Sequence, residues 1–186
     1  MNIIDTKLAG VKVLEPKVFG DHRGWFMETY SSLQFKEAGL DINFVQDNQS
    51  FSATKGTLRG LHYQLNPKAQ TKLVRCTRGA IFDVAVDIRK ESPTYGEWYG
   101  IELTAENKKQ LLVPKGFAHA FMTLTEDAEV QYKVDEFYAP DCDRGIIWND
   151  PVIGIEWPIE ITPVLSKKDE QAPVLKNADN NFTVGE

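Results

Sequence analysis

Apolar and polar residues alternate with period two along most of the chain, in short runs broken by Gly, Pro, Asn or Asp. Successive side chains of a strand point to opposite faces, so this pattern predicts many short β-strands. It is clearest in Ala80–Ile88, where Phe82, Val84, Val86 and Ile88 form an apolar row and Asp83 and Asp87 fall on the other side. Gly79 offers a tight turn from the preceding strand, Thr71–Cys76. Further strands are expected at Val11–Pro16, Trp25–Tyr30, Asn43–Phe51, Thr57–Tyr63 and Glu97–Leu103. Gln110–Val113, Ala118–Leu124, Glu129–Val134 and Ile146–Trp148 continue the series. Helix is scarce. Ser32–Ala38 before Gly39 reads as one short helix, Ala105–Lys109 as a turn, and Ser166–Glu170 as the start of a second helix capped by Ser166. So many short antiparallel strands predict a mainly β domain, either a sandwich or a closed barrel, because closure removes aggregation-prone edges.

With 186 residues and no internal repeat or linker, the chain is expected to form a single domain. Its 42% hydrophobic and 26% charged residues are ordinary for a globular protein. The apolar runs are too short to span a bilayer, and the N-terminus lacks the pattern of a secretory signal. Cys76 and Cys142 make no disulfide framework, which points to a cytoplasmic setting. A net charge of -6 argues against nucleic-acid binding. Charge is unevenly spread, however: Arg23, Arg59, Lys72, Arg75 and Arg78 crowd the first half, so a local cationic pocket for an anionic small molecule is compatible with an acidic chain.

Three histidines, His22, His62 and His119, with no H-x-H or H-x-x-x-H pair, disfavour a metal site. His62 lies in Leu58-Arg59-Gly60-Leu61-His62-Tyr63-Gln64, where it is either a hydrogen-bonded member of a barrel wall or a general base beside an anion-binding arginine. Strict alternation puts Arg59 and His62 on opposite faces; both point inward only if Gly60 marks a bulge. Lys72 is a solvated edge charge or, turned inward, a cation for a developing enolate oxygen. Tyr132 shares an apolar face with Val130 and Val134, which suits core packing or a hydroxyl that protonates a carbanion. His119 and Phe121 share one face of the strand after Pro114-Lys115-Gly116. Asp169, in Leu165-Ser166-Lys167-Lys168-Asp169, is a solvated helix-start charge or the carboxylate that orients a histidine. Phe19-Gly20-Asp21-His22-Arg23-Gly24-Trp25-Phe26-Met27-Glu28 reads as an amphipathic hairpin packed on the barrel, or as an arm that grips a ring and a phosphate.

Taken together and in this order, Phe19-Gly20-Asp21-x-Arg23-Gly24, the Arg59–Gln64 segment, Pro114-x-Gly116-Phe117-Ala118-His119-x-Phe121 and Leu165-Ser166-x-Lys168-Asp169 resemble the dTDP-4-dehydrorhamnose 3,5-epimerase family over nearly the whole chain. The resemblance implies a cupin-type jelly-roll barrel with a few short peripheral helices. It divides the chain into an N-terminal arm (about 1–50), the barrel (about 51–150) and a C-terminal segment (about 151–186). It implies a homodimer with no metal and no cofactor, acting on a dTDP-4-keto-6-deoxyhexose. His62 is then the base paired with Asp169, Lys72 faces the C4 oxygen, and Tyr132 is the proton donor on the opposite ring face. Arg59 and His119 line the sugar and phosphate site, with Gln46, Asp47 and Asn48 nearby. Asp83 and Phe121 belong to the same binding set. Phe19, Arg23, Phe26 and Glu28 are expected on the arm, with Arg23 and Glu28 reaching the partner's substrate. Tyr138 and Lys168 are expected at the nucleotide or its diphosphate. Asp143 departs modestly from the glutamate expected there. Two other outcomes stay open on the same scaffold: epimerisation at C3 or C5 alone, and a noncatalytic cupin that only binds a sugar nucleotide.

Overall fold

The period-two segments fold into two antiparallel sheets laid face to face, which together make a jelly-roll barrel. The computed structural model describes residues 1–158, 160 and 162–185. In chain order the first strands are β1 (Asn2–Asp5), β2 (Lys12–Glu15), β3 (Val18–Asp21) and β4 (Gly24–Met27), followed by helix α1 (Ser32–Glu37). The central strands are β5 (Gln46–Ser52), β6 (Leu58–Gln64), β7 (Lys72–Arg78), β8 (Ala80–Asp87) and β9 (Trp98–Thr104). β10 (Gln110–Val113), β11 (Phe117–Thr123), β12 (Ala128–Val134) and β13 (Asp143–Gly145) complete the sheets, and helix α2 (Lys167–Glu170) follows. One sheet runs β1-β2-β10-β7-β12-β5, the other β13-β6-β11-β8-β9, and β3-β4 stands apart as a two-stranded hairpin.

Apolar side chains occupy three layers. Val74, Ile81, Ala85, Leu111, Phe121 and Val130 fill the space between the two sheets. Leu14, Leu73 and Leu112 on the outside of the larger sheet are covered by Phe35 of α1. The outside of the smaller sheet is covered by Ile153, Leu175 and Phe182 of the C-terminal segment. This third layer settles the orientation of β8. The row Val84, Val86 and Ile88 packs outward against the C-terminal segment, while Ile81 and Ala85 face between the sheets. Asp83 and Asp87 are wholly buried. Asp87 is held by Arg89, Ser92 and Thr94, and a buried carboxylate needs such partners.

One expectation is corrected, and one open alternative is decided. The last strand is Asp143–Gly145, not Ile146–Trp148: Ile146 still bonds Leu61, but Ile147 turns away to Pro173. The β3-β4 hairpin does not bury itself on its own barrel, since Phe19, Trp25 and Phe26 are 52%, 58% and 69% exposed. β1 and β3 lie outside the predicted strands, being four-residue segments too short for a period-two signal to stand out.

Candidate active site

The larger sheet contributes Lys72 from β7 and Tyr132 from β12; the smaller contributes Arg59 and His62 from β6 and His119 and Phe121 from β11. All six border one cavity of about 430 Å3. An adjoining cavity of about 440 Å3 shares His62, Lys72 and Tyr132 and extends to Asn48, Tyr138 and Lys168.

Arg59 and His62 share the first cavity because β6 is irregular between them. On β11 their partners Phe121 and His119 are two positions apart, against three on β6, so β6 carries an extra residue. Gly60 sits at φ +126°, and a Cβ there would come within 2.5 Å of the Ala120 Cβ and 2.6 Å of the His119 carbonyl oxygen. Only glycine fits so close an approach at that backbone angle. The irregularity at Gly60 that a shared pocket requires is therefore present.

Asp169 reaches His62 across 107 positions of sequence. The C-terminal segment is held beside β6, with the Val164 N–H bonded to the Gly56 carbonyl and the Leu58 N–H to the Val164 carbonyl. The Ser166 hydroxyl then accepts the Asp169 N–H at 3.1 Å and caps α2. This turns the buried Asp169 carboxylate onto His62, with Nε2 to Oδ1 at 2.5 Å. Burial works to raise the Asp169 carboxyl, but hydrogen bonds from His62, Ser166 and the Gly60 N–H outweigh it and hold the group below its ordinary value. The carboxylate is thus charged at neutral pH and accepts a hydrogen bond from the Nε2–H, leaving Nδ1 as the imidazole's free nitrogen.

A second pair lies deeper, where His119 Nε2 meets Asp83 Oδ1 at 2.8 Å. Burial pushes the His119 imidazole down, with Asp83 pulling the other way and the Lys72 charge adding to the fall. Burial also lowers the Lys72 ammonium to about 8, against the pull of Asp143 and Asp83. Tyr132 is raised by burial, partly offset by Arg59, so its phenol stays protonated and able to donate. Arg59 is oriented by Ser52 Oγ at 3.3 Å and the Phe51 carbonyl at 3.2 Å.

At the adjoining cavity Gln46 donates to Asn48 at 2.8 Å, and the Tyr138 hydroxyl bonds Asp143 at 3.2 Å. Lys168 also bonds Asp143, and that carboxylate raises the Tyr138 phenol. Asp47 is not brought to either of these cavities. Strand alternation turns it to the outside of the larger sheet, where it pairs with Lys133 at 2.9 Å. Phe19, Arg23 and Phe26 border a separate groove on the hairpin, and Glu28 bonds Gln34, so none of the four lines its own chain's cavity. Conversely, Ser50, Thr57, Gln70 and Val164 line the site without having been singled out. For Ser50 the signal was available, since Gln46, Asn48 and Ser50 fall on alternate positions of one strand.

A family model for dTDP-4-dehydrorhamnose 3,5-epimerase matches residues 5–177. The dTDP-4-dehydrorhamnose 3,5-epimerase of Shigella flexneri is 56% identical over 180 residues, covering 96% of this chain and 98% of that protein. Among solved structures, the Bacillus anthracis dTDP-4-dehydrorhamnose 3,5-epimerase with TDP and PPi bound is 52% identical, with a TM-score of 0.90 over 93% of this chain and 98% of the other. The Legionella pneumophila dTDP-6-deoxy-D-glucose-3,5-epimerase in complex with dTDP-4-keto-L-rhamnose is 46% identical, with a TM-score of 0.92 over 96% and 94%.

Proposed function

Because the chain belongs to the dTDP-4-dehydrorhamnose 3,5-epimerase family, we propose that its adjoining cavities take dTDP-4-dehydro-6-deoxy-D-glucose and that the protein is the isomerase that converts it to dTDP-4-dehydro-L-rhamnose. This is a step of dTDP-L-rhamnose biosynthesis, in a cytoplasmic setting. The observation that carries the reading is that His62 and Tyr132 reach one cavity from opposite sheets. A ketone at C4 acidifies the hydrogens on C3 and C5, because either carbanion delocalises onto the same oxygen. His62 Nδ1 removes the proton on one ring face, and the charged Asp169 stabilises the imidazolium that forms. The Lys72 ammonium meets the enolate oxygen, where charge appears in the transition state. Tyr132 donates a proton to the other face, which inverts the carbon. Solvent reprotonates the phenolate and His62 gives up its proton. Substrate and product are isomers, so no electrons are exchanged and the reaction calls for no redox cofactor.

In the same reading the hexose occupies the cavity beside Arg59 and His119, which Asp83 orients, and Phe121 walls. The nucleotide diphosphate occupies the cavity beside Gln46, Asn48, Tyr138, Asp143 and Lys168. A second copy of the chain supplies its exposed hairpin: Phe19 and Phe26 as apolar contacts, and Arg23 and Glu28 as polar ones. Support for a homodimer comes from the exposure of these aromatics, which gain nothing by packing on their own barrel. The test is turnover in deuterium oxide followed by NMR at both carbons. Deuterium at C3 and C5 with both centres inverted is expected, and a single inverted centre refutes the double epimerisation. His62→Asn should lower both exchanges by roughly two to four powers of ten; exchange at the wild-type rate removes His62 as the base.

A further inference from the structure

β5 turns Gln46, Asn48 and Ser50 inward at alternate positions, about 7 Å apart along the strand. The first two bond each other and line the nucleotide-side cavity. Ser50 stands one repeat further on, at the wall of the cavity that holds Arg59, His62, Lys72 and His119. Its hydroxyl oxygen is buried and has no hydrogen-bond partner among the described residues. Buried hydroxyls are nearly always bonded, and at the wall of this cavity a group of the ligand can supply the partner that Ser50 lacks. Asp83 Oδ2 is the other such atom, but it belongs to a carboxylate already committed to His119 and does not border this cavity.

We propose that Ser50 determines specificity for the hexose by hydrogen-bonding its C2 hydroxyl. This rests on the epimerase reading of the site. The chemistry of the sugar selects C2. C1 carries the diphosphate, the C4 oxygen alternates between ketone and enolate opposite Lys72, and C6 is a methyl group. C3 inverts, so its hydroxyl moves from one ring face to the other during the reaction. Apart from the ring oxygen, which can only accept, the C2 hydroxyl is the remaining polar group, and it sits on a carbon whose configuration never changes. A contact there holds the ring in one place through both inversions, so that one base and one acid serve C3 and then C5, or C5 and then C3. The same contact makes the site reject a 2-deoxy sugar, because Ser50 is then left buried and unpaired.

The experiment compares Ser50→Ala with wild type on dTDP-4-keto-6-deoxyglucose and on its 2-deoxy analogue. The loss of one neutral hydrogen bond predicts a five- to tenfold fall in kcat/KM on the first, roughly, and less than a twofold change on the second. Calorimetric affinities for unreactive dTDP-glucose and dTDP-2-deoxyglucose should show the same contrast. Thermal melting of the ligand-free variant should match or exceed wild type, since the hydroxyl has no internal partner to lose. Ser50→Cys, close in size but a weak donor, should fall between. Equal losses on both sugars, or none on either, overturn the proposal. Should wild type fail to exchange deuterium at all, the epimerase reading fails, and the two binding affinities still decide for or against the C2 contact.

Discussion

Replacing Lys72 by methionine should make the ligand-free protein more stable and the enzyme nearly inactive. The physical reason is the price of holding an ammonium among β7, β12 and the facing sheet. Burial lowers it from the ordinary 10.5 to about 8, even with Asp143 and Asp83 drawing it back up. That gap corresponds to roughly 3 kcal/mol against the charged form. The side chain borders the cavity and is only partly buried, so about 2 kcal/mol is the better figure. The sign follows from proton binding. The unfolded lysine keeps its proton to about 10.5, whereas the folded one releases it near 8. The cost is therefore fully present below about pH 8, shrinks as pH rises between the two values, and is absent above the higher one. Lys72→Met should gain about 1–2 kcal/mol in urea unfolding at pH 7, and the gain should narrow steadily toward pH 10. Activity should move the other way. Without a cation at the enolate oxygen, kcat should drop by roughly two to three powers of ten. In wild type, kcat/KM should fall as pH rises through about 8, because the free enzyme then loses the ammonium. Lys72→Arg, which keeps its charge, should lose that alkaline limb even if its absolute rate is lower. A wild-type profile flat to pH 9.5, together with a methionine variant no more stable than wild type, would refute the reasoning.

Asp169→Asn removes a charge whose centre lies about 4 Å from the imidazolium, an attraction of roughly 4 kcal/mol at an effective dielectric of about 20. The partly exposed His62 ring reduces this, so a loss of about 30- to 150-fold in exchange at both carbons is expected; a loss under threefold would show the carboxylate to be dispensable. Tyr132→Phe leaves the base intact, so solvent deuterium should still enter while net inversion falls by about two powers of ten; inversion at the wild-type rate would place the acid elsewhere. Gly60→Ala forces a Cβ against Ala120 and His119, and should cost about 2–4 kcal/mol in thermal unfolding. An unchanged melting temperature would mean that β6 relaxes freely there. Phe26→Asp changes a residue 69% exposed, so the fold should be unaffected while sedimentation shifts from dimer to monomer and substrate affinity drops. A wild type that sediments as a monomer would end the shared-site reading.

Much of the architecture was written locally. Alternation marked most of the strands, and Ser166 marked the capped start of a second helix, which the structure ends after four residues. The irregularity at Gly60 was legible as a condition, because Arg59 and His62 can share a cavity only if their strand breaks step; the structure shows that it does. Alternation states which side chains share a face; it does not state which face is the inside. That depends on what covers the other side, and the covering elements are distant in sequence. The apolar row of β8 was plain in the sequence, but only the C-terminal segment that covers it makes it pack outward, and this leaves buried Asp83 to hold His119. The run Gln46-Asp47-Asn48 looked like one binding patch, but the pleat sends Asp47 to Lys133 and its neighbours inward, with Ser50 behind them. From its own segment Asp169 was either a helix-start charge or a partner for a histidine; the fold decided by carrying it to His62, since a hydrogen bond fixes an orientation only when long-range packing has brought both partners together.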